Sequence, residues 1–457
     1  VSGSAEVIAI DDGQREWEDR AWFPPGAQLA VCLSGAKERL ADLTDGELLQ
    51  VAAAARRQTS WAQARELAAI AELTRRRTSE DASDAEADYR VLSARESVTE
   101  EVAAALTVTG NAAATLVHLA EQLTGPLAAT GEALGAGRID LAKARVICDV
   151  TEHLPEDVAG KVQCVALEKA NEQTTGQLRR RIRRVAQRLA PQAIEERKRE
   201  AVRQRRLELW DNPSGTSDLA LCDLAAEDAH AIFNKITAAA NGIKADGDPR
   251  PLSAVRADLA TRLLHGVELP DAVRALLSGT CDDSQARVTQ FPGPAHGDDA
   301  SAGDADAGIA ALADEVERRL NHVRGRVEPC ELPDAIRRAA GRIHEQFADA
   351  RDLACRGGEQ SHGNPGYRPS AALRREIVAR HGRCVFPTCN QPSRRCDLDH
   401  TVPWRPGTTC RCNLAPLCRR HHRLKQTSGW RLHQVWPGLL LWITPSGAWY
   451  IVRPDRQ

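Results

Sequence analysis

The 457-residue chain contains no methionine, even at position 1, so Val1 reads as an alternative start codon taken literally or as the edge of a longer sequence. Long apolar runs are missing too. No stretch reaches the roughly 18 residues that a membrane-spanning helix needs, and the opening VSGSAEVIAIDDGQ has neither the basic nor the apolar segment of a secretion signal. These absences point to a cytoplasmic, globular protein. With 42% hydrophobic residues, the chain can bury the cores of two or three domains. An excess of one charge is also lacking, since the formal net charge of −2 argues against a protein devoted wholly to nucleic acid.

What is present is unevenly distributed. Between Arg374 and Arg431 thirteen Lys or Arg face three acids, Glu376, Asp397 and Asp399, so the C-terminal part alone is strongly basic. Seven of the thirteen cysteines are scattered over residues 1–355, while six crowd into 384–418. In a long intracellular chain such crowding reads as metal binding before it reads as disulfides.

Residues 1–40, with WFPPG, read as an irregular lead-in, and residues 41–353 as a helical domain. Thr44 and Glu47 have capping-box spacing ahead of LLQVAAAARRQTSWAQARELAAIAELTRRR, whose apolar residues recur on one helical face. Residues 99–124 read as two short helices around TVTG, the second starting near Asn111. The outline is that of a helix-turn-helix, although Ala-rich pairs of this kind more often simply pack in helical domains. Arg179 to Arg206 holds twelve basic residues and three acids; it can track phosphates but reads first as a solvated face. Alternation on both sides of NPSG predicts a β-hairpin over 206–222. The small, acidic HGDDASAGDADAG, 296–308, is expected to be a flexible insert. Residues 354–370 form a linker into a last domain, 371–457, whose aromatic and β-branched tail should add strands. There Trp430, Trp436, Trp442 and Trp449 are expected to pack rather than stack on bases.

The chemistry concentrates in RCVFPTCNQPSRRCDLDHTVPWRPGTTCRCNLAPLCRRHHRLK. Cys384 and Cys389 bracket a proline that turns the chain, and Cys418 and His421 form a second close pair. Two such half-sites make a tetrahedral, closed and therefore structural Zn²⁺ site. Cys396, Cys410 or Cys412 remains open as a replacement for one ligand.

Between and after the half-sites stand DLDH (397–400), Asn413 and His422. This region resembles the HNH endonuclease family, whose ββα-metal fold pairs a hairpin with one helix. The resemblance implies that His400 is the general base, that Asn413 orients it, and that Asp399 and His422 hold a catalytic divalent ion such as Mg²⁺. The helical part, with EALGAGRIDLAKARVI, QLRRRIRRVAQRL and GYRPSAALRREIVARHGRCVFPTC, resembles the actinobacterial thirteen-E-twelve repeat family, in which a helical domain of unknown function precedes an HNH module. The implied fold is a mainly α N-terminal domain with a small, zinc-stapled α+β domain after it.

Phosphodiester hydrolysis needs a water activated near neutral pH, a task suited to a neutral imidazole, and a cation to offset charge on the phosphate. Arg419, Arg420, Arg423 and Lys425 would add phosphate contacts with little sequence choice. The expectation is a DNA endonuclease; the alternatives are a DNA-binding regulatory or mobile-element-associated protein that does not cut, and a scaffold with a zinc staple. Neighbouring helical residues point about 100° apart, so His421 and His422 should serve different metals. Asp399 and His400, adjacent on a strand, should point to opposite faces unless the strand twists or bulges.

Overall fold

The computed structural model describes residues 23–34, 40–83, 92–212, 214–245, 247–265, 302–356 and 362–455. The chain is mainly helical with a small strand-containing C-terminal region. The helices α1 (Ala27–Leu33), α2 (Asp45–Ser83), α3 (Ala94–Leu106), α4 (Gly110–Thr124), α5 (Ala128–Gly135), α6 (Leu141–Thr151), α7 (Glu156–Lys169), α8 (Thr175–Leu189) and α9 (Pro191–Arg203) come first. A hairpin of β1 (Arg206–Asp211) and β2 (Ser217–Cys222) follows, then α10 (Ala226–Ala245), α11 (Leu252–Leu264), α12 (Ala302–Arg324), α13 (Leu332–Gln346), α14 (Ala348–Arg356) and α15 (Ala371–Arg380). The C-terminal region adds β3 (Asp397–His400), β4 (Leu414–Leu417), α16 (Arg419–Gln426), β5 (Arg431–Trp436), β6 (Leu439–Ile443) and β7 (Trp449–Val452). Among the described residues no single helix is long and apolar enough to cross a membrane.

Local signals act as expected at several helix ends. Thr44 N–H donates to Glu47 Oε2 at 2.8 Å while Glu47 N–H reaches Thr44 Oγ1 at 3.4 Å, and α2 then runs unbroken for 39 residues. A second capping box, Ser93 with Glu96, opens α3. Thr107 closes α3 in the left-handed region at φ 55°, Thr109 caps α4, and the two helices meet at 114°. The turn is where TVTG placed it, but α3 is buried from Ser97 through Ala104. A helix so enclosed is a packing element.

Internal contacts divide the chain into two compact units: Val1–Asp149, Gln163–Arg180 and Asp298–Gln457 in one, Val150–Val162 and Arg181–Gly297 in the other. The second unit holds the expected hairpin, with Arg206 opposite Cys222 and Asp211 opposite Ser217. It also holds a small core of Ala240, Val255 and Leu259 between α10 and α11. Part of the basic run is answered locally: Lys198 pairs with Glu227 at 2.7 Å, Arg203 with Glu200 at 3.1 Å, and Arg206 with Glu208 and Asp223. That is the behaviour of a solvated face.

The first unit shows why the expected boundary at 354–370 does not separate compact bodies. Strands β5, β6 and β7 form one antiparallel sheet. Along β6, Leu440 and Trp442 enter a core with Cys384, Phe386, Leu417, Leu424 and Trp430, and with Leu92 and Ala104 from the helical region. Leu441 and Ile443 point the other way, into a core with Val316, Leu320, Ile336 and Ile343 of α12 and α13. The unbroken apolar run LLLWI is thus a strand buried on both faces. Trp430 and Trp442 are fully buried and donate to Ser97 Oγ at 2.9 Å and Val385 O at 2.7 Å, while Trp436 and Trp449 pack at the edges of the neighbouring cores. Two other expectations change. Residues 27–33 of the lead-in are helical, and residues 302–308 of the acidic insert begin α12. The rest of the insert, and linker residues 357–361, lie outside the described residues.

Candidate metal centres and active site

The antiparallel pair β3–β4 sets Asp397 opposite Leu417 and His400 opposite Leu414, with no register shift. The 383–392 knuckle joins it through the Val385 N–H, which donates to Pro416 O at 3.0 Å. Helix α16 starts immediately after β4, with Cys418 at its N-cap. This hairpin-plus-helix brings Cys384, Cys389, Cys418 and His421 together, one donor atom from each lying within 4.8 Å of the others. With metal–sulfur bonds of about 2.3 Å, thiolates on a tetrahedron stand about 3.8 Å apart. Cys389 and Cys418 sulfurs are 4.0 Å apart, and His421 Nδ1 lies 3.4 and 3.1 Å from Cys384 and Cys418. The donor set and its spacing fit a closed Zn²⁺ site.

The helical region supplies what stands behind this cluster. Glu100 of α3, 1% exposed, places Oε2 at 3.2 Å from His421 Nε2, and Arg420 pairs with its other oxygen. A ligating imidazole that donates its second N–H to a carboxylate is fixed in tautomer and orientation. Phe386 stacks on the His421 ring at 4.1 Å and 9°, with Trp442 edge-on to Phe386. Burial alone would depress the His421 pKa, but hydrogen bonds to Cys389, Cys418 and Glu100 outweigh it and raise it to about 10. Metal loading there therefore displaces a proton. Neighbouring Glu101 is 4% exposed, pairs with Arg77 at 3.4 Å and accepts from Ser446 N–H at 3.2 Å. Two adjacent acids inside VTEEVAAAL were the available signal for this contact.

His422 serves other partners, as the helix geometry required. Its Nε2 lies 3.1 Å from Asp399 Oδ1, and Lys425 pairs with the other carboxylate oxygen. Burial pushes the Asp399 pKa up, yet His422 and Lys425 hold it below the ordinary carboxylate value; Asp399 in turn raises His422. Asp399 and His400 line one cavity of about 460 Å³ with His422, Lys425, Tyr367 and Trp404. They do so without a bulge, because His400 is the last residue of its strand. A larger groove of about 790 Å³ lined by Arg318, Arg319, His322 and Arg342 has basic side chains but a single carboxylate, Glu345. Chemistry rather than size selects the smaller cavity.

His400 is held by Thr409, a residue that no local spacing singles out. Its Nε2 lies 3.0 Å from Thr409 Oγ1, which donates its own proton to Gly366 O at 2.7 Å. A hydroxyl has one proton to give, so His400 Nε2 carries the N–H and Nδ1 keeps a lone pair. Burial lowers the His400 pKa, Asp399 works against this and Lys425 with it, so the imidazole is neutral near pH 7. Asn413 does not orient it directly. Its Oδ1 accepts from Thr401 Oγ1 at 2.9 Å and Val402 N–H at 2.7 Å, and its Nδ2 donates to Thr408 O at 2.9 Å, so it pins the loop that carries Thr409.

Of the four basic residues on α16, Arg420 pairs with Glu100 and Lys425 with Asp399; Arg419, Arg420 and Arg423 are exposed. Cys396 is not among the four donors of either cluster, although it lies beside Cys384; its sulfur donates to Pro392 O at 3.4 Å, and burial pushes its pKa up to about 11. Cys410 and Cys412, the other candidate replacements, belong to a separate cluster with Cys355 and His362.

Residues 54–381 match the family described as Domain of unknown function (DUF222). The chain belongs to the DUF222 family. Among its relatives, the uncharacterized protein Rv3776 of Mycobacterium tuberculosis is 31% identical over 92% of this chain and 81% of its own length. The uncharacterized protein Rv2100 of the same organism is 30% identical over 90% of this chain and 78% of its own. No solved structure matches. The DUF222 match includes Glu100 and ends three residues before Cys384. Its helices therefore supply the carboxylate behind the first cluster, whose four donors lie beyond it.

Proposed function

We propose that this protein is a metal-dependent endonuclease of the HNH type that hydrolyses DNA phosphodiester bonds in the cavity lined by Asp399, His400 and His422. The observation that carries the reading is the pairing of a neutral, tautomerically fixed His400 with the Asp399–His422 pair in one cavity. His400 Nδ1 accepts a proton from water as the water oxygen attacks phosphorus and the bond to the leaving sugar oxygen breaks. Asp399 Oδ1 and His422 Nε2, 3.1 Å apart, suit adjacent positions on an octahedral ion, about 3.0 Å apart for bonds of about 2.1 Å. A divalent ion held there, such as Mg²⁺, supplies neutralisation of charge on the phosphate and the leaving oxygen. Thr409 and Asn413 keep His400 and its loop in place, the zinc cluster fixes α16, and Arg419 and Arg423 meet phosphates without reading bases.

One observation favours a second reading, a DNA-binding module that does not cut: Lys425 already answers the Asp399 charge without a metal. Nicking of supercoiled plasmid by the folded, zinc-loaded protein with Mg²⁺ or Mn²⁺ separates the two. The endonuclease reading expects nicking that falls about 100-fold or more in His400→Ala, the usual scale for a lost general base. Intact plasmid with both proteins, alongside salt-dependent DNA binding unaffected by His400→Ala, supports the second reading instead.

A further inference from the structure

We infer that Cys355, His362, Cys410 and Cys412 form a second structural zinc site, one that clamps the segment entering the C-terminal region onto the loop holding His400. The four donor atoms lie within 4.8 Å of one another, and the three cysteines are buried in a cluster of their own. The Cys410 and Cys412 sulfurs are 3.2 Å apart, and His362 Nε2 is 3.1 Å from Cys412 Sγ. Three thiols and an imidazole packed this closely, with no disulfide among them, form the donor set of a tetrahedral zinc site. Without a metal, mutually repelling thiolates or crowded thiols would occupy a buried space.

What the site joins gives it a purpose. Cys355 is the penultimate residue of α14, His362 lies on the entering segment, and Cys410 and Cys412 stand on either side of Arg411, just before Asn413. From His362 the chain runs directly against the hairpin loop. Gly363 has φ 81°, and a Cβ there would stand 2.1 Å from Gly407 O. Asn364 N–H donates to Thr409 O at 2.9 Å, Gly366 O takes the Thr409 hydroxyl proton, and Tyr367 lies 5.2 Å from the His400 ring. Thr409 and Gly366, which set the His400 tautomer, and Tyr367, which lines its cavity, thus lie within five positions of His362 or Cys410. The existence of the metal does not depend on the proposed function; its effect on cleavage does.

Zinc counting on the purified full-length chain tests the site. Two Zn²⁺ per chain are expected in the wild type, and one in His362→Ala or in a Cys410→Ser/Cys412→Ser variant. His362→Cys should keep two, since thiolate replaces imidazole at zinc. Co²⁺ titration of the metal-free wild type covers the case in which a variant fails to fold: two equivalents with tetrahedral, thiolate-type absorption are expected. A wild type that takes up one equivalent, or a His362→Ala protein that retains two with unchanged affinity, overturns the inference. If two metals are found and plasmid is never nicked, the clamp stands and the nuclease reading falls.

Discussion

The two Cys/His clusters draw on the same donor set, three cysteines and one histidine, yet they are assembled in opposite ways. The first takes two close pairs, Cys384 with Cys389 and Cys418 with His421, from one hairpin-plus-helix. The second gathers Cys355 from a helix end, His362 from the entering segment, and Cys410 and Cys412 from a loop. Their support differs too. In the first cluster Nδ1 faces the sulfurs and Nε2 meets Glu100 at 3.2 Å, a carboxylate 1% exposed. In the second Nε2 faces Cys412, and Nδ1 is 3.9 Å from Asp352, whose side chain is 38% exposed. A locally encoded, well-supported site holds its module together, whereas a site closed by the fold joins segments already formed.

The largest expected difference comes from removing ligands. Structural zinc contributes on the order of 10 kcal/mol, comparable to the whole stability of a domain. Cys384→Ser/Cys389→Ser should therefore abolish the native Trp430 and Trp442 fluorescence and near-ultraviolet signal, while loss of the second cluster should leave them largely intact. Equal loss in both would erase the distinction.

Acid adds a contribution that belongs to neither cluster. Burial, with Arg351, Arg380 or Arg431 nearby, lowers His344, His381 and His433 to about 4 from an ordinary 6.5. Between these values the unfolded chain binds protons that the folded chain refuses, so stability falls as pH drops from about 6.5 to 4 and levels off below. The three shifts together correspond to at most about 10 kcal/mol, read as a falling Tm. Replacing His344, His381 and His433 together with Gln should flatten the slope; an unchanged slope would assign acid loss to other groups.

Smaller effects probe the carboxylates. Glu100→Gln should weaken zinc at the first cluster by about 10- to 100-fold, measured by competition with a chelator. Asp352→Asn should weaken the second by less, about a few-fold, because an exposed charge at that distance is screened. The same competition should strip the second cluster first in the wild type; the reverse order would show that burial of thiols, not the carboxylate, sets affinity.

What could be read from the sequence follows the same division. Thr44 with Glu47, the NPSG hairpin, the two close pairs of the first cluster and the parting of His421 from His422 all depend on residues a few positions apart, where helix and strand periodicity decide geometry. Glu100, Thr409, Cys355 and His362 reach their partners through tertiary packing that no local spacing encodes. The expected division between a helical domain and an HNH module failed to anticipate the shared core for a related reason. LLLWI looks like any apolar run until α12 and α13 are found on one face of it and the core around Cys384, Phe386 and Trp430 on the other.

We propose that the Asp399–His400–His422 cavity cuts DNA with a divalent ion distinct from zinc. The most direct test is the Mg²⁺ or Mn²⁺ dependence of plasmid nicking by the zinc-loaded wild type and His422→Ala. Nicking should saturate with added ion in the wild type and fall about 100-fold or more in His422→Ala, with zinc content and fold unchanged. Undiminished nicking in His422→Ala, or none by the wild type with either ion, would contradict it.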